Sequence, residues 1–144
     1  MRRGITLVEL VVVLALVAVL AGLAFPAAWR AYDAIVAERA AQAVVAAHRV
    51  ARFSAIMRNC RTLLNVAPES LMVRAIEGAD TITLWRRQGP AADGLSLVGT
   101  ARALAFAPTG IPLGVANASF QLQRGAAVRR VVISRLGRTR IERR

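Results

Sequence analysis

The sequence predicts an α+β protein: one long N-terminal helix, its first half transmembrane, packed by its second half on an antiparallel β-sheet head. Three observations carry that expectation. Leu10 to Phe25 contains no charged residue and ends at Pro26. From Ala27 to about Arg58 the chain is rich in alanine, has no Gly or Pro, and repeats apolar residues at three- and four-residue steps. From Arg61 onward, short β-branched or alternating runs are separated by Gly, Pro and Asp at close spacing. Helix first and strands afterwards is the order of an α+β domain.

The first element begins Met1-Arg2-Arg3-Gly4-Ile5-Thr6-Leu7-Val8-Glu9. Ile5 to Trp29 has about the 20 to 25 residues that cross a bilayer at 1.5 Å per residue. Arg2 and Arg3 on the short leading side place the N-terminus in the cytoplasm and the remainder outside the inner membrane. Glu9 is the exception in this apolar setting. A carboxylate at that depth costs a few kcal/mol, so it carries a functional hypothesis by default. The plainer reading is a side chain that snorkels to the head groups. Ala21-Gly22-Leu23-Ala24 also offers an alternative, the cleavage site of a secretory signal, although the apolar core is long for one. Pro26 lacks an N–H and clashes with the preceding turn, which predicts a kink.

Beyond Pro26, residues Trp29, Tyr32, Ile35 or Val36, Ala40, Ala43 or Val44, Ala47 and Val50 form one apolar stripe. Arg30, Asp33, Glu38, Arg39, Gln42 and Arg49 occupy mostly the other sides. Alanine favours this helix, and the stripe requires a surface to pack on. The strand-like runs Arg61–Val66, Leu71–Ile76, Thr81–Arg86, Leu95–Val98, Leu104–Ala107, Ser119–Gln123 and Arg129–Ser134 supply it. Between them stand turn signals such as Gly78-Ala79-Asp80, Pro108-Thr109-Gly110 and Arg124-Gly125, as a meander requires.

Composition narrows the chemistry. The 144 residues fit one compact domain plus the N-terminal segment, and with 5% aromatics the core must be Val, Leu, Ile and Ala. All 20 basic residues are Arg against 8 acids, a net charge of +12 that favours anionic partners. Cys60 is the sole cysteine, so no intrachain disulfide forms; a buried small hydrophobe is the expected role. His48 has no nucleophile constellation beside it, Trp85 reads as a core-facing strand residue, and Asp80 and Asp93 are turn residues. No Cys/His cluster has metal-ligand spacing. An enzyme is not expected, nor is a cofactor.

The N-terminal stretch resembles the type III signal and first helix of type IV pilins and pseudopilins. The resemblance implies that a prepilin peptidase cuts between Gly4 and Ile5, that Ile5 becomes N-methylated, that Glu9 is the acid used in assembly, and that Pro26 is the helix-bending proline. Ile5 stands where phenylalanine is usual. Further along, Ala51-Arg52-Phe53-Ser54-Ala55-Ile56, Phe106-Ala107-Pro108-Thr109-Gly110, and Arg130-Val131-Val132-Ile133-Ser134 followed by Gly137-Arg138-Thr139-Arg140 look like the GspH/FimT minor pilins. The resemblance implies a leader over 1–4, a transmembrane and filament-core helix over 5–28, and a periplasmic pilin head over 29–144, helical to 58 and β from 61. Its partners would be other pilin or pseudopilin subunits, the prepilin peptidase and an inner-membrane assembly platform.

The function implied is that of a minor subunit in a type II secretion pseudopilus or a type IV pilus. The alternative is a DNA-binding minor pilin for natural transformation. For that role the resemblance points to Gly137-Arg138-Thr139-Arg140. If Ile141 faces inward on a last strand, Arg138 and Arg140 project together about 7 Å apart, suited to phosphates. Arg135, Arg143 and Arg144 enlarge the same basic surface. A solvated basic edge strand is the competing explanation, because arginine on an edge also prevents unwanted pairing.

Overall fold

In the computed structural model, residues 6–98, 102–114 and 118–143 are described. Gly4, Ile5 and Arg144, three residues singled out from the sequence, lie outside them. Two units are distinguished, residues 1–32 and residues 33–144.

Helix α1 covers Leu7–Arg58. Its start is capped locally: Thr6 Oγ1 accepts the N–H of Glu9 at 3.2 Å, the hydrogen bond of an N-cap threonine with an acid at the third helical position. The helix continues through Pro26, and the Arg30 side chain donates to the Pro26 carbonyl at 3.2 Å. Every large apolar residue from Leu7 to Phe25 is at least half exposed within the protein. A surface of that kind needs lipid or another apolar helix to cover it.

In the second unit the helix buries Val36, Ala37, Ala40, Ala41, Val44, Ala47, His48, Ala51 and Ala55. The small alanines let strands approach the helix axis closely. Trp29, Tyr32 and Ile35, expected on that stripe, are exposed, so the buried face begins at Val36. The helix ends in a Schellman motif built on asparagine. Asn59 takes φ of 48°, its N–H reaches the Ile56 carbonyl, and the Cys60 N–H reaches the Ala55 carbonyl, both at 3.3 Å. Cys60 is half-buried rather than fully buried, because that motif turns it out at the helix terminus.

Among the described residues nine strands follow: β1 Arg61–Val66, β2 Ser70–Glu77, β3 Asp80–Gln88, β4 Ser96–Val98, β5 Arg102–Phe106, β6 Pro112–Leu113, β7 Ala118–Arg124, β8 Ala127–Ile133 and β9 Thr139–Arg143. All pairings are antiparallel. They divide into a five-stranded sheet ordered β3-β2-β1-β5-β6 and a four-stranded sheet ordered β4-β7-β8-β9. A short 3-10 turn, Pro90–Asp93, occupies the Gly/Pro/Asp-rich segment between β3 and β4.

Alternation along the strands sets which residues fill the core. Leu64, Val66, Leu71, Val73 and Phe106 enter it from the first sheet, and Phe120, Leu122, Val131 and Ile133 from the second; all are essentially inaccessible. Trp85 and Ile141 pack against this core without being enclosed by it. Thr62, on the buried face of β1, donates its hydroxyl to the Ala51 carbonyl at 2.8 Å, so the one hydroxyl buried there is satisfied.

Candidate functional sites: an uncovered helix and an arginine-rich edge

Two regions remain outside the packed core. The first is the apolar half of α1. Thr6 fixes Glu9 in the first helical turn, where the positive end of the helix dipole favours a carboxylate. The cap is made by the Thr6 hydroxyl and the Glu9 backbone, and the Glu9 side chain makes no ion pair among the described residues.

The second is the face of the 33–144 unit along which α1 meets β9. Two ion-pair anchors tie helix to sheet there. Arg124 Nε donates to Asp33 Oδ1 at 2.9 Å, and the same guanidinium also reaches the Asp93 carbonyl. Further along the helix, Glu38 accepts from Arg129 Nε at 3.0 Å and faces Arg143 Nε at 3.4 Å, while Gln42 donates to its other oxygen. The Arg129 hydrogen bond, aided by Gln42 and by the charges of Arg143 and Arg129, holds the Glu38 carboxyl below its ordinary range against the opposing effect of burial.

The arginines expected to act as one cluster are distributed differently. Arg138 ends the turn after β8, where its N–H reaches Ser134 Oγ at 3.1 Å and Gly137 takes φ of 72°. Arg140 lies on β9 opposite Val132 and pairs with Glu142 two residues on, on the outward face of the sheet. Arg143 turns toward Glu38 instead. Arg135 is exposed in the turn. Thus Arg138 and Arg135 keep guanidiniums without an ion pair among the described residues, whereas Arg140 and Arg143 have carboxylate partners.

Sequence inspection missed the role of the helix in this region. Arg49, Arg52, Phe53 and Ile56 line a groove of about 500 Å³ together with Gly137, Arg138, Thr139 and His48. A neighbouring hollow of about 360 Å³ is lined by Glu38, Gln42, Val45, Arg49, Thr139, Ile141 and Arg143. The signal was present as the spacing 38, 42, 45, 49, 52, 56, which is one helical stripe of mainly polar residues. His48 is 2% exposed, stacks edge-on to Phe106 with ring centroids 5.2 Å apart, and has no hydrogen-bond partner for either ring nitrogen. Burial, and then the charges of Arg52 and Arg49, lower its pKa to about 4. It is a neutral core histidine. No group of three metal-ligating side chains occurs among the described residues.

Comparison with known proteins supports a family assignment. Residues 1–25 match the prokaryotic N-terminal methylation motif, and residues 40–137 match the family described as Type II transport protein GspH. The chain is 32% identical to the pilin-like protein PilA1 of Thermus thermophilus over 98% of its own length and 99% of that protein. Its fold resembles that of the type IV minor pilin FimU of Pseudomonas aeruginosa in two crystal forms. The TM-scores are 0.60 and 0.58 at 19% and 18% identity, with 74% and 73% of this chain and 87% and 91% of those chains covered. An N-terminal methylation motif, an uncovered apolar helix and a GspH-type β head together establish that the chain belongs to the GspH family and is a pilin-like protein.

Proposed function

We propose that this subunit is held in the inner membrane as a single-pass precursor, with a cytoplasmic N-terminus and a periplasmic head. A prepilin peptidase cuts it between Gly4 and Ile5, Ile5 is methylated, and an inner-membrane platform passes it into a filament. The observation that carries the proposal is the apolar length of α1, exposed throughout its first half. Such a surface is stable in lipid or against sister helices, and transfer from one to the other needs no change in the head. Cleavage after Gly4 removes Arg2 and Arg3 and leaves 18 − 8 = +10 on the side chains.

Glu9 gives the transfer its register. In the filament the positively charged N-terminal amine of an adjoining subunit answers the carboxylate, and an unpaired acid in an apolar environment is strongly disfavoured. The head's use, as proposed, is in a type II secretion pseudopilus or a type IV pilus. Mass spectrometry of the protein from its native membrane tests the reading. A chain beginning at N-methylated Ile5 is expected, and an N-terminus at Gly22 or Phe25, or release of a free periplasmic head, would overturn it.

A further inference from the structure

We propose that the trough between α1 and β9 is a docking site for an extended, acidic segment of a different filament subunit, which adds as a strand to the outer edge of β9. The inference rests on the minor-subunit reading and specifies the chemistry of one partner.

The backbone supplies the first argument. Among the described residues β9 is the terminal strand of its sheet and pairs with β8 on one side only. The Ser134 N–H bonds to the Arg138 carbonyl at 2.9 Å, which fixes the phase of the ladder. By antiparallel alternation, Arg140 and Glu142 direct their backbone groups toward β8, and Thr139, Ile141 and Arg143 direct theirs to the open edge. An edge of this kind is a template for an incoming strand.

The trough supplies the second. Its two hollows share Arg49 and Thr139, so they form one run beside β9. Along α1 that run extends from Glu38 to Ile56, about 27 Å at 1.5 Å per residue. An extended segment of about eight residues covers the same distance. The walls combine charge with apolar surface. Arg49 and Arg138 have no ion pair among the described residues. Among the described residues Arg52 is held by a long hydrogen bond to the Gly137 carbonyl, 3.4 Å. Phe53 and Ile56 remain 64% and 48% exposed. The occupant therefore combines carboxylates with aliphatic side chains.

Charge also decides against a second copy of this chain. A copy brings the same net +12, or +10 after cleavage, and its four-stranded sheet presents arginines at the same edge. Four of its acids, Asp33, Glu38, Glu77 and Glu142, are already paired internally. The arginines that repel a like edge accept an acidic one, which is specificity by repulsion as well as attraction. The structure thereby assigns this protein a heterotypic neighbour.

The test uses the full chain in detergent micelles and a synthetic peptide of about eight residues alternating Glu with Val, sized to the trough by strand rise. Controls are the same peptide with Lys for Glu, the same peptide with alternate amides N-methylated, and a single-stranded oligonucleotide. Saturable binding of the acidic peptide is expected, with slowed amide exchange at Ile141 and Arg143 and a shift in the ring resonances of His48, the sole histidine. Arg49→Ala with Arg138→Ala should weaken it about tenfold, as two partly screened ion pairs imply. Arg86→Ala with Arg87→Ala, on β3, should leave it unchanged. Equal binding of the Lys peptide, full affinity of the N-methylated peptide, absence of binding, or preference for the oligonucleotide would each overturn the inference. Peptide binding requires neither processing nor assembly, so its failure leaves the filament reading standing, and an N-terminus other than Ile5 leaves the binding result standing.

Discussion

Glu38 on the helix and Arg129 on β8 meet at 3.0 Å with side-chain exposures of 27% and 12%. The pair is partly desolvated, and both partners need it: the guanidinium has little water, and the carboxylate is also within 3.4 Å of Arg143. It joins the alanine-rich stretch of α1 to the centre of the four-stranded sheet. Removing one member leaves the other charge uncompensated.

Glu38→Gln should accordingly lower stability by about 1–3 kcal/mol, the cost of leaving a part-buried polar group without its charged partner. Thermal melting in detergent measures it. The sign of the pH dependence follows from the lowered carboxyl pKa. The stabilisation is fully present above the unfolded-state value near 4.5 and is lost as pH falls through the lower folded-state value. Wild type should lose stability in that acid range more steeply than Glu38→Gln.

His48 gives a separate pH window. Its pKa falls from 6.5 to about 4 on folding, so between those values the unfolded chain binds a proton that the folded chain refuses. Stability is therefore highest above pH 6.5 and declines as pH drops toward 4, by roughly 3 kcal/mol over the interval. His48→Leu should flatten this limb, and equal slopes in the two proteins would contradict the assignment. Because burial is the largest cause, Arg52→Ala should raise the ring pKa by less than the full depression, as NMR titration of the single histidine would report.

Gly89 is required by space rather than by dihedral angle. A Cβ there would stand 2.3 Å from the Pro68 carbonyl oxygen and 2.5 Å from the Ser70 nitrogen, both backbone atoms that side-chain rotation cannot move. The Gly89 N–H also bonds to the Glu69 carbonyl at 2.9 Å. Gly89→Ala should cost about 1–3 kcal/mol, as overpacking does. Gly78→Ala, with nothing within 4 Å but φ of 64°, isolates the conformational penalty and should cost about 1–2 kcal/mol. Melting temperatures of the two variants check both.

Glu9→Ala tests the proposed register signal. Processing at Gly4 should continue, since the substitution leaves the Gly4–Ile5 bond and its flanking residues unchanged, while recovery of the subunit with sheared filaments should fall by at least about tenfold if one buried ion pair is lost. Thr6→Ala removes only the N-cap and should change incorporation far less. Normal incorporation of the Glu9 variant would overturn the register role.

The sequence was enough for the long helix and for seven of the strands in their order; β6, two residues with a proline, was not among them, and β9 entered only as a conditional last strand. The uncharged run before Pro26 shows a helix with no protein surface to cover it, and Ser119 to Gln123 shows a half-buried strand, because both are local periodicities that burial enforces wherever the chain goes. The phase of α1 was less legible: Trp29, Tyr32 and Ile35 fit the same stripe as Ala40 and Ala47, and only the position of the sheets starts the buried face at Val36. Tertiary structure alone decided that the strands divide between two sheets, since strand partners are chosen by contacts far apart in the chain. It likewise decided what each arginine does. Arg140 and Arg143 are similar in sequence context, yet one pairs with Glu142 and the other with Glu38, 105 residues earlier. Charge acts through space, so a residue's neighbours in three dimensions, and not its neighbours along the chain, settle whether it anchors the fold or stays available to a partner.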